Sequence, residues 1–270
     1  MNRRAAVSSG SILYISHGGG PLPLLGDAAH EQLVDNLKHL ATIVPSPSAI
    51  VVISAHWEEA NPTITSAAHP PLLYDYYGFP PESYEILYPV PGKPALARRM
   101  AGLLTGIGIE PVLDEQRGFD HGLFVPLKIM YPDATFPCVQ LSLVRGLDPA
   151  EHVRMGKALA GLRDEPVLIV GSGFSFHNMQ AFFSPSTDRV RSMNEAFDQW
   201  LVETCSSQAF SESERERRLV EWTAAPAARF CHPREEHLMP LHVCYGIAQS
   251  PASQVFRFEI MGIVASAYLW

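Results

Sequence analysis

The sequence predicts an α/β fold with a mainly parallel central sheet flanked by helices. Runs of apolar, mostly β-branched residues recur along the chain, and each run has the length of a buried strand. Segments with a helical spacing of apolar residues separate these runs, and this alternation is typical of a parallel sheet. The 270 residues contain no internal repeat and no linker. We therefore expect one domain over residues 1–270.

The elements follow one another with clear boundaries. A strand over 12–15 leads to a Gly-rich turn, and two prolines end a helix over 28–43 before the next strand over 49–53. The Pro- and Tyr-rich segment 61–92 is expected to form an ordered loop. The remaining predicted elements are helices over 94–105, 123–130, 150–162, 188–206 and 232–248, strands over 110–113, 139–144, 167–170 and 254–264, and a solvent-facing charged segment over 211–218.

Composition excludes several classes of partner. The formal net charge is -8 without a basic run, which argues against nucleic acid or an anionic membrane surface as a partner. No apolar run reaches the roughly 20 residues of a membrane-spanning helix, and the Ser/Gly-interrupted start does not fit a signal peptide. The four cysteines are scattered without a CxxC pair. We therefore expect reduced thiols and a cytoplasmic location.

Three histidines come shortly after predicted strands. His17 follows the first strand, His56 follows the second, and His177 lies just beyond the strand that begins at 167. Because ligands bind beyond the carboxyl ends of strands in open parallel sheets, these side chains can meet in one crevice. Four histidines outside any such context are expected to be structural: His30, His39, His69 and His152.

A fourth candidate, His232, precedes a predicted helix. Pro233 and the acidic residues after it are typical of a first helical turn, so His232 is expected at the helix start, where it can project into the crevice. His237 and His242 follow at intervals of five residues, which does not place all three on one helical face. At most one or two of these three histidines are therefore expected to be metal ligands.

These histidines suit a metal site. Imidazole is a common ligand for zinc, iron and copper, and a catalytic site uses three protein ligands while other positions stay open. His17, His56 and His232 would make such a site. His177 and His121, which stands in an Asp-His-Gly motif, would then serve as acid and base.

Other motifs give weaker signals. The glycines at 18–20 lack the Lys and Ser/Thr of a P-loop, and the segment 171–175 lacks the central serine of a nucleophile elbow. The tyrosines between 74 and 88 fit loop packing and a lid over an aromatic ring equally well. The glutamates near the candidate histidines are expected to be solvated charges or charges that match a helix dipole, rather than metal ligands. They are Glu58, Glu59, Glu235 and Glu236.

Six segments in family order resemble the class III extradiol ring-cleaving dioxygenases, the LigB-like superfamily, and within it the 4,5-DOPA extradiol dioxygenase group. They cover nearly the whole chain. The segments are 16–21 (SHGGGP), 54–57 (SAHW), 74–80 (YDYYGFP), 120–122 (DHG) with 125–127 (VPL), 171–173 (GSG) with 177–178 (HN), and 232–238 (HPREEHL).

The resemblance implies a mononuclear non-haem Fe(II) site. His17 and His56 are the implied ligands, with His232 in the third position, which is a glutamate in the wider superfamily. Since the chain also resembles members that hold zinc, Zn(II) is a second candidate metal. His177 matches the catalytic histidine close to the metal and is also a candidate zinc ligand.

The implied substrates are a DOPA-like catechol and dioxygen. Three neutral imidazoles leave the metal dicationic, so that it can stabilise a catecholate. The resemblance assigns proton transfer to His177 and hydrogen bonds with substrate oxygens to His121 and His237. Ring opening beside the two hydroxyls gives a semialdehyde.

Two other functions stay open from the residues alone. A zinc-dependent hydrolase could use the same scaffold with His177 as base, and a non-catalytic zinc-binding protein would have a closed site. The sequence also does not decide between a monomer and a homodimer. Arg117, Arg234 and Lys93 can each pair with a substrate carboxylate, and nothing in the sequence selects among them.

Overall fold

The computed structural model describes residues 10–183 and 187–270. The strands are β1 Ser11–Ser16, β2 Ala49–Glu59, β3 Thr63–Thr65, β4 Val112–Asp114, β5 Cys138–Val144, β6 Val167–Gly173, β7 Gln254–Ile260 and β8 Ile263–Leu269. The α-helices are α1 Glu31–Ile43, α2 Pro94–Thr105, α3 His121–Met130, α4 Pro149–Ala158, α5 Met179–Phe182, α6 Asp188–Ser206, α7 Glu212–Val220, α8 Ala228–Cys231 and α9 Met239–Ala248.

The strands form one mixed sheet in the order β4-β3-β5-β2-β6-β1-β8-β7. Its four central strands, β5, β2, β6 and β1, run parallel to one another. The hairpin β7–β8 adds two antiparallel strands at one edge, and β3 runs antiparallel to β5 near the other. The predicted α/β fold with a mainly parallel sheet is therefore confirmed.

The sheet separates two hydrophobic cores. Ile12 and Tyr14 of β1 point into the core that contains α2, α4, α6 and α9, whereas Leu13 and Ile15 point into the core with α1 and α3. Alternate residues of a strand face opposite sides of the sheet, so a parallel strand buried on both faces is apolar throughout. This packing fixes the carboxyl ends of β1, β2 and β6 side by side.

The last two predicted elements differ from the structure in their extent. The helix expected over 232–248 begins only at Met239, and residues 232–238 form an irregular segment before it. The single strand expected over 254–264 is a hairpin whose turn, Met261-Gly262, has positive φ at both residues (53° and 76°). The first position of such a turn is usually Asn or Asp, and here it is Met. The apolar pattern therefore predicted one continuous strand across the turn.

The structure bears on two of the expectations drawn from composition. No helix among the residues described here is both long and apolar enough to cross a bilayer. All four cysteines are buried with free thiols. The start of the chain, on which the expectation of no signal peptide rests, falls within residues 1–9 and so lies outside the described residues.

His152, in α4, is buried in its neutral form. Its Nδ1–H donates to the Asp148 carbonyl at 2.7 Å, and its Nε2 accepts from the Val144 amide at 3.2 Å. A second ring proton, on Nε2, would point at the Val144 N–H, so the charged form of His152 is disfavoured. Burial lowers the pKa of His152 to about 4, although the Asp148 carbonyl acts in the opposite direction.

We expect this histidine to make unfolding easier in acid. The unfolded chain protonates the imidazole below its ordinary pKa of about 6.5, whereas the folded chain does so only below about 4. The resulting stability, on the order of 3 kcal/mol, is present above the unfolded pKa and is lost as pH falls through the folded pKa. Urea unfolding of the wild type and His152→Gln at pH 7 and pH 5 measures the effect. The variant should lose less stability between the two pH values, and an equal loss in both proteins would contradict the prediction.

Candidate active site

The carboxyl ends of β1 and β2 bring two histidines together. His17 directly follows β1, and its backbone N–H donates to the carbonyl of Gly173 at the end of β6 at 3.0 Å. His56 lies in the last part of β2, which pairs with β6 on the other side. Both side chains are largely shielded from solvent, and their Nε2 atoms are 2.9 Å apart.

Ser172, at the end of β6, fixes the tautomer of His17. The serine hydroxyl donates to the Gly122 carbonyl at 2.5 Å, so its oxygen accepts from His17 Nδ1 at 3.0 Å. His17 Nε2 therefore carries a lone pair. His56 Nδ1 faces Asp75 at 3.9 Å, which favours a proton on that nitrogen and a lone pair on its Nε2. Two lone pairs at this separation repel each other unless a cation lies between them.

His237 adds a third imidazole. Its carbonyl accepts from the Tyr14 hydroxyl at 2.8 Å and from the Phe174 amide at 3.1 Å. Gly173 permits this approach, because a Cβ there would overlap the same carbonyl oxygen. One nitrogen from each of His17, His56 and His237, the imidazole trio, lies within 4.8 Å of the others. This set of neutral nitrogen donors fits a divalent metal ion.

Two carboxylates border the imidazole trio and orient the rings around it. Asp75 Oδ1 accepts from Nδ1 of His121 at 2.8 Å and from its backbone N–H at 3.0 Å. Glu236 Oε1 lies 3.1 Å from Nδ1 of His177 and 3.0 Å from Nδ1 of His237. Such carboxylate–imidazole pairs fix the tautomer and direct the other ring nitrogen toward the site.

Burial and mutual repulsion keep the imidazole trio uncharged. Burial lowers the pKa of each member well below its ordinary value, and neighbouring histidines lower it further. For Asp75 and Glu236, burial alone would raise the pKa. Hydrogen bonds and charge from His121 and His177 outweigh burial, and both pKa values lie below their ordinary value. The site therefore combines neutral nitrogen donors with ionised carboxylates behind them.

A second polar network supports the strand that carries His56. Asp120 precedes α3 and accepts from the Ser54 hydroxyl at 2.8 Å and from Arg117 at 3.2 Å, with a further bond from the Gln140 side chain. Burial raises the pKa of Asp120. The Arg117 guanidinium also lies 4.5 Å from the centre of the Trp57 ring. Arg117 is thus committed to structural contacts beside the site.

Comparison with known proteins identifies the family. A family model described as the catalytic LigB subunit of aromatic ring-opening dioxygenases matches residues 11–268. The chain belongs to the LigB family. Dioxygenase tasH from Hapsidospora irregularis is 39% identical over 96% of this chain and 85% of its own length. The 4,5-DOPA dioxygenase extradiol of Beta vulgaris is 38% identical over 87% of this chain and 85% of its own length.

A solved structure shows the same fold. The crystal structure of an uncharacterized protein JW3007 from Escherichia coli K12 superimposes with a TM-score of 0.75 at 30% identity, covering 96% of this chain and 98% of that one. Together with its dioxygenase relatives, this LigB-family chain is a ring-cleaving dioxygenase of the extradiol type. The resemblance stated from the sequence is confirmed, and the hydrolase and the non-catalytic zinc-binding protein are set aside.

His232 does not lie where the sequence placed it in this LigB-family site. Its ring is buried against Phe197 and Trp222, and its Nε2 donates to the Ser175 carbonyl at 3.1 Å. Burial lowers the pKa of His232 to about 3. The structure thus brings His237 rather than His232 beside His17 and His56. The physical reason is that the helix begins seven residues later than expected, and the irregular segment before it carries His237 to this position.

The sequence also misjudged the carboxylates. Glu236 was expected to be a solvated charge, yet it is buried and contacts two histidines. Asp75 carried no prediction of its own, although it lies in the YDYYGFP segment. A carboxylate that orients a distant histidine gives no local signal, because its partner comes from another part of the chain.

The tyrosine-rich loop forms one wall of the site. The hydroxyls of Tyr74 and Tyr76 donate to loop carbonyls at 2.6 Å each, so they hold the loop together rather than pointing at a ligand. The Tyr76 ring lies edge-on to His121, with centroids 5.7 Å apart. Loop packing thus accounts for these hydroxyls, and the rings supply an aromatic surface beside His121.

Proposed function

We propose that this enzyme cleaves the ring of a DOPA-like catechol with dioxygen, using one divalent metal held by the imidazole trio. The observation that carries the proposal is the 2.9 Å approach of the Nε2 atoms of His17 and His56. Ser172 fixes the lone pair of His17, and the charge of Asp75, 3.9 Å from Nδ1 of His56, favours the lone pair of His56. A bound cation turns this repulsion into coordination. The names of the relatives, which include 4,5-DOPA dioxygenases, support a catechol as the substrate.

Fe(II) is the proposed catalytic metal. Bound Fe(II) would supply a dicationic centre able to bind the catechol oxygens and dioxygen. Zinc accepts the same nitrogen donors but has no redox chemistry, so a zinc-loaded site would bind ligands without oxidising them. Asp75 and Glu236 are not needed as ligands in this arrangement, because each is already hydrogen-bonded to histidine Nδ1 atoms.

His177 is the proposed acid–base residue. Its ring stacks on that of His237 with centroids 3.4 Å apart, and its side chain is 21% exposed, which leaves an edge open toward entering substrate. With Nδ1–H held by Glu236, the Nε2 atom can accept a proton from a catechol hydroxyl. The ionised Glu236 then stabilises the imidazolium until the proton is returned.

His121 is proposed to hydrogen-bond a substrate oxygen. Asp75 holds its Nδ1, and the His121 ring lies 3.8 Å from that of His56, centroid to centroid. Its Nε2 therefore remains for a ligand next to the proposed metal. His237, a substrate-binding candidate from the sequence, is proposed as a metal ligand instead. His177 keeps its second assignment as a candidate zinc ligand, which the metal content of a variant can test.

The remaining assignments follow from the same proposal. Residues 1–270 would act as a single catalytic domain in the cytoplasm, as a monomer or homodimer. Its partners would be a small-molecule catechol and dioxygen, without nucleic acid or a membrane.

We expect Fe(II)-loaded protein to consume dioxygen when DOPA or a related catechol is added. The physical reason is that the trio binds a redox-active cation next to His177, the proposed base. An oxygen electrode and the absorbance of the ring-opened semialdehyde measure the reaction. Zinc-loaded protein is the matched control and should show no uptake. Metal bound in stoichiometric amount without uptake on any catechol of the panel would contradict the proposed substrate class.

A further inference from the structure

We infer that Arg234 recognises an acidic group on the side chain of the substrate, so that the enzyme selects catechols that carry a carboxylate. This inference rests on the proposed function, since it concerns the same site. It selects one residue among the cations that the sequence left undecided.

Arg234 and the proposed base His177 both contact the carboxylate of Glu236. Its Nη1 is 3.5 Å from Glu236 Oε2, while the other oxygen of Glu236 contacts His177 and His237. Its two terminal nitrogens also form a bidentate pair with Glu58 at 2.7 and 2.6 Å. Glu58 is two residues beyond His56 on β2. The guanidinium therefore connects the end of β2, through Glu58, with the segment 232–238, through Glu236.

This guanidinium is accessible to a ligand. The Arg234 side chain is 56% exposed and its Glu58 partner is 22% exposed. Because Arg234 is more than half exposed, water solvates the guanidinium and salt screens the ion pair, so the pair can open for a ligand of the same geometry. A substrate carboxylate that offers the same two oxygens can replace Glu58, since a planar guanidinium binds carboxylates in a bidentate manner.

The two other candidate cations are unsuited to this role. Arg117 binds the buried Asp120 and lies over Trp57, so a ligand would have to break contacts inside the protein. Lys93 Nζ donates to the carbonyl of Ser48 at 3.2 Å. Ser48 immediately precedes β2, so Lys93 lies at the opposite end of this strand from His56. Arg234 is the candidate that combines exposure with proximity to the site.

Glu58 gives the inference a second consequence. Glu58 forms an ion pair with the Arg234 guanidinium when substrate is absent, and it therefore competes with the carboxylate of an incoming substrate. Removing its charge by Glu58→Gln should tighten the binding of an acidic catechol, whereas removing Arg234 should weaken it. A purely structural ion pair predicts the same direction for both variants.

Calorimetric titration of zinc-loaded protein, which binds without turnover, tests the inference with two ligands. These are 3-(3,4-dihydroxyphenyl)propionate and the uncharged 4-methylcatechol. Arg234→Met should weaken binding of the propionate by about 10- to 100-fold, the range for a charged hydrogen bond, and leave 4-methylcatechol nearly unchanged. Arg234→Lys should restore part of the loss. Arg145→Met is the matched control, because Arg145 is exposed and lies 3.8 Å from Glu59, the residue next to Glu58.

Three results would overturn the inference. The first is an equal loss of affinity for both ligands in Arg234→Met, which would assign the residue to positioning Glu236. The second is no loss for either ligand, and the third is a wild type that does not prefer the propionate. Dioxygen uptake by the Fe(II)-loaded wild type is measured separately. Arg234-dependent binding without uptake would refute the proposed ring cleavage and leave the anion-recognition role standing.

Discussion

Replacement of His237 by alanine is expected to abolish stoichiometric metal binding, whereas His232→Gln is expected to retain it. His237 contributes to the imidazole trio and has its tautomer set by Glu236. The Nε2–H of His232 donates to the Ser175 carbonyl, and its ring packs against two aromatic rings. Removing an outer partner of a metal ligand already costs about 10- to 100-fold in affinity, and removing the ligand itself should cost more.

Metal content after dialysis, together with competition against a chelator, measures this difference. Glutamine at 232 keeps a side-chain N–H for the Ser175 carbonyl, and circular dichroism shows whether each variant is folded. A folded His232→Gln protein that loses its metal while His237→Ala keeps it would restore the ligand set expected from the sequence. Loss of metal in both variants would place His232 close enough to the site to support it.

The architecture was predictable because its signals are local. β1, β2 and β6 each contain a short apolar run followed by small residues, and α2 and α4 each begin at a proline. These boundaries can be recognised without tertiary information. The hairpin turn at Met261-Gly262 lacked such a signal. The turn connects β7 to β8, whose pairing adds β7 at the edge of the sheet, and this pairing is a tertiary effect.

The site was predictable only in part, for the same reason. His17 and His56 follow their strands directly, so the fold rule that places ligands at strand ends was enough to bring them together. The choice between His232 and His237 depended on where α9 begins. That boundary, and the anchoring of the His237 carbonyl by Tyr14 and the amide of Phe174, involve residues more than sixty positions away. No spacing within 232–242 contains this information.

His177→Ala should lower the turnover of the Fe(II)-loaded enzyme by about 100- to 10,000-fold, the range for losing a general acid–base group. Metal content should stay stoichiometric, because the imidazole trio does not include His177. The His177 ring stacks on that of His237, and both rings contact Glu236. Because His237 has its own bond with Glu236, this bond should persist in the variant. Dioxygen uptake at saturating catechol gives the turnover, and His39→Ala, an exposed histidine of α1, is the matched control.

The metal content of the same variant separates the two roles assigned to His177. If His177 acts only in proton transfer, zinc and Fe(II) should bind His177→Ala as they bind the wild type, and only turnover should fall. A drop in zinc affinity comparable to that of His237→Ala would instead make His177 a ligand of zinc. Unchanged turnover with intact metal would remove it from the mechanism, and the proton acceptor would then have to be His121, which faces the trio from the Asp75 side.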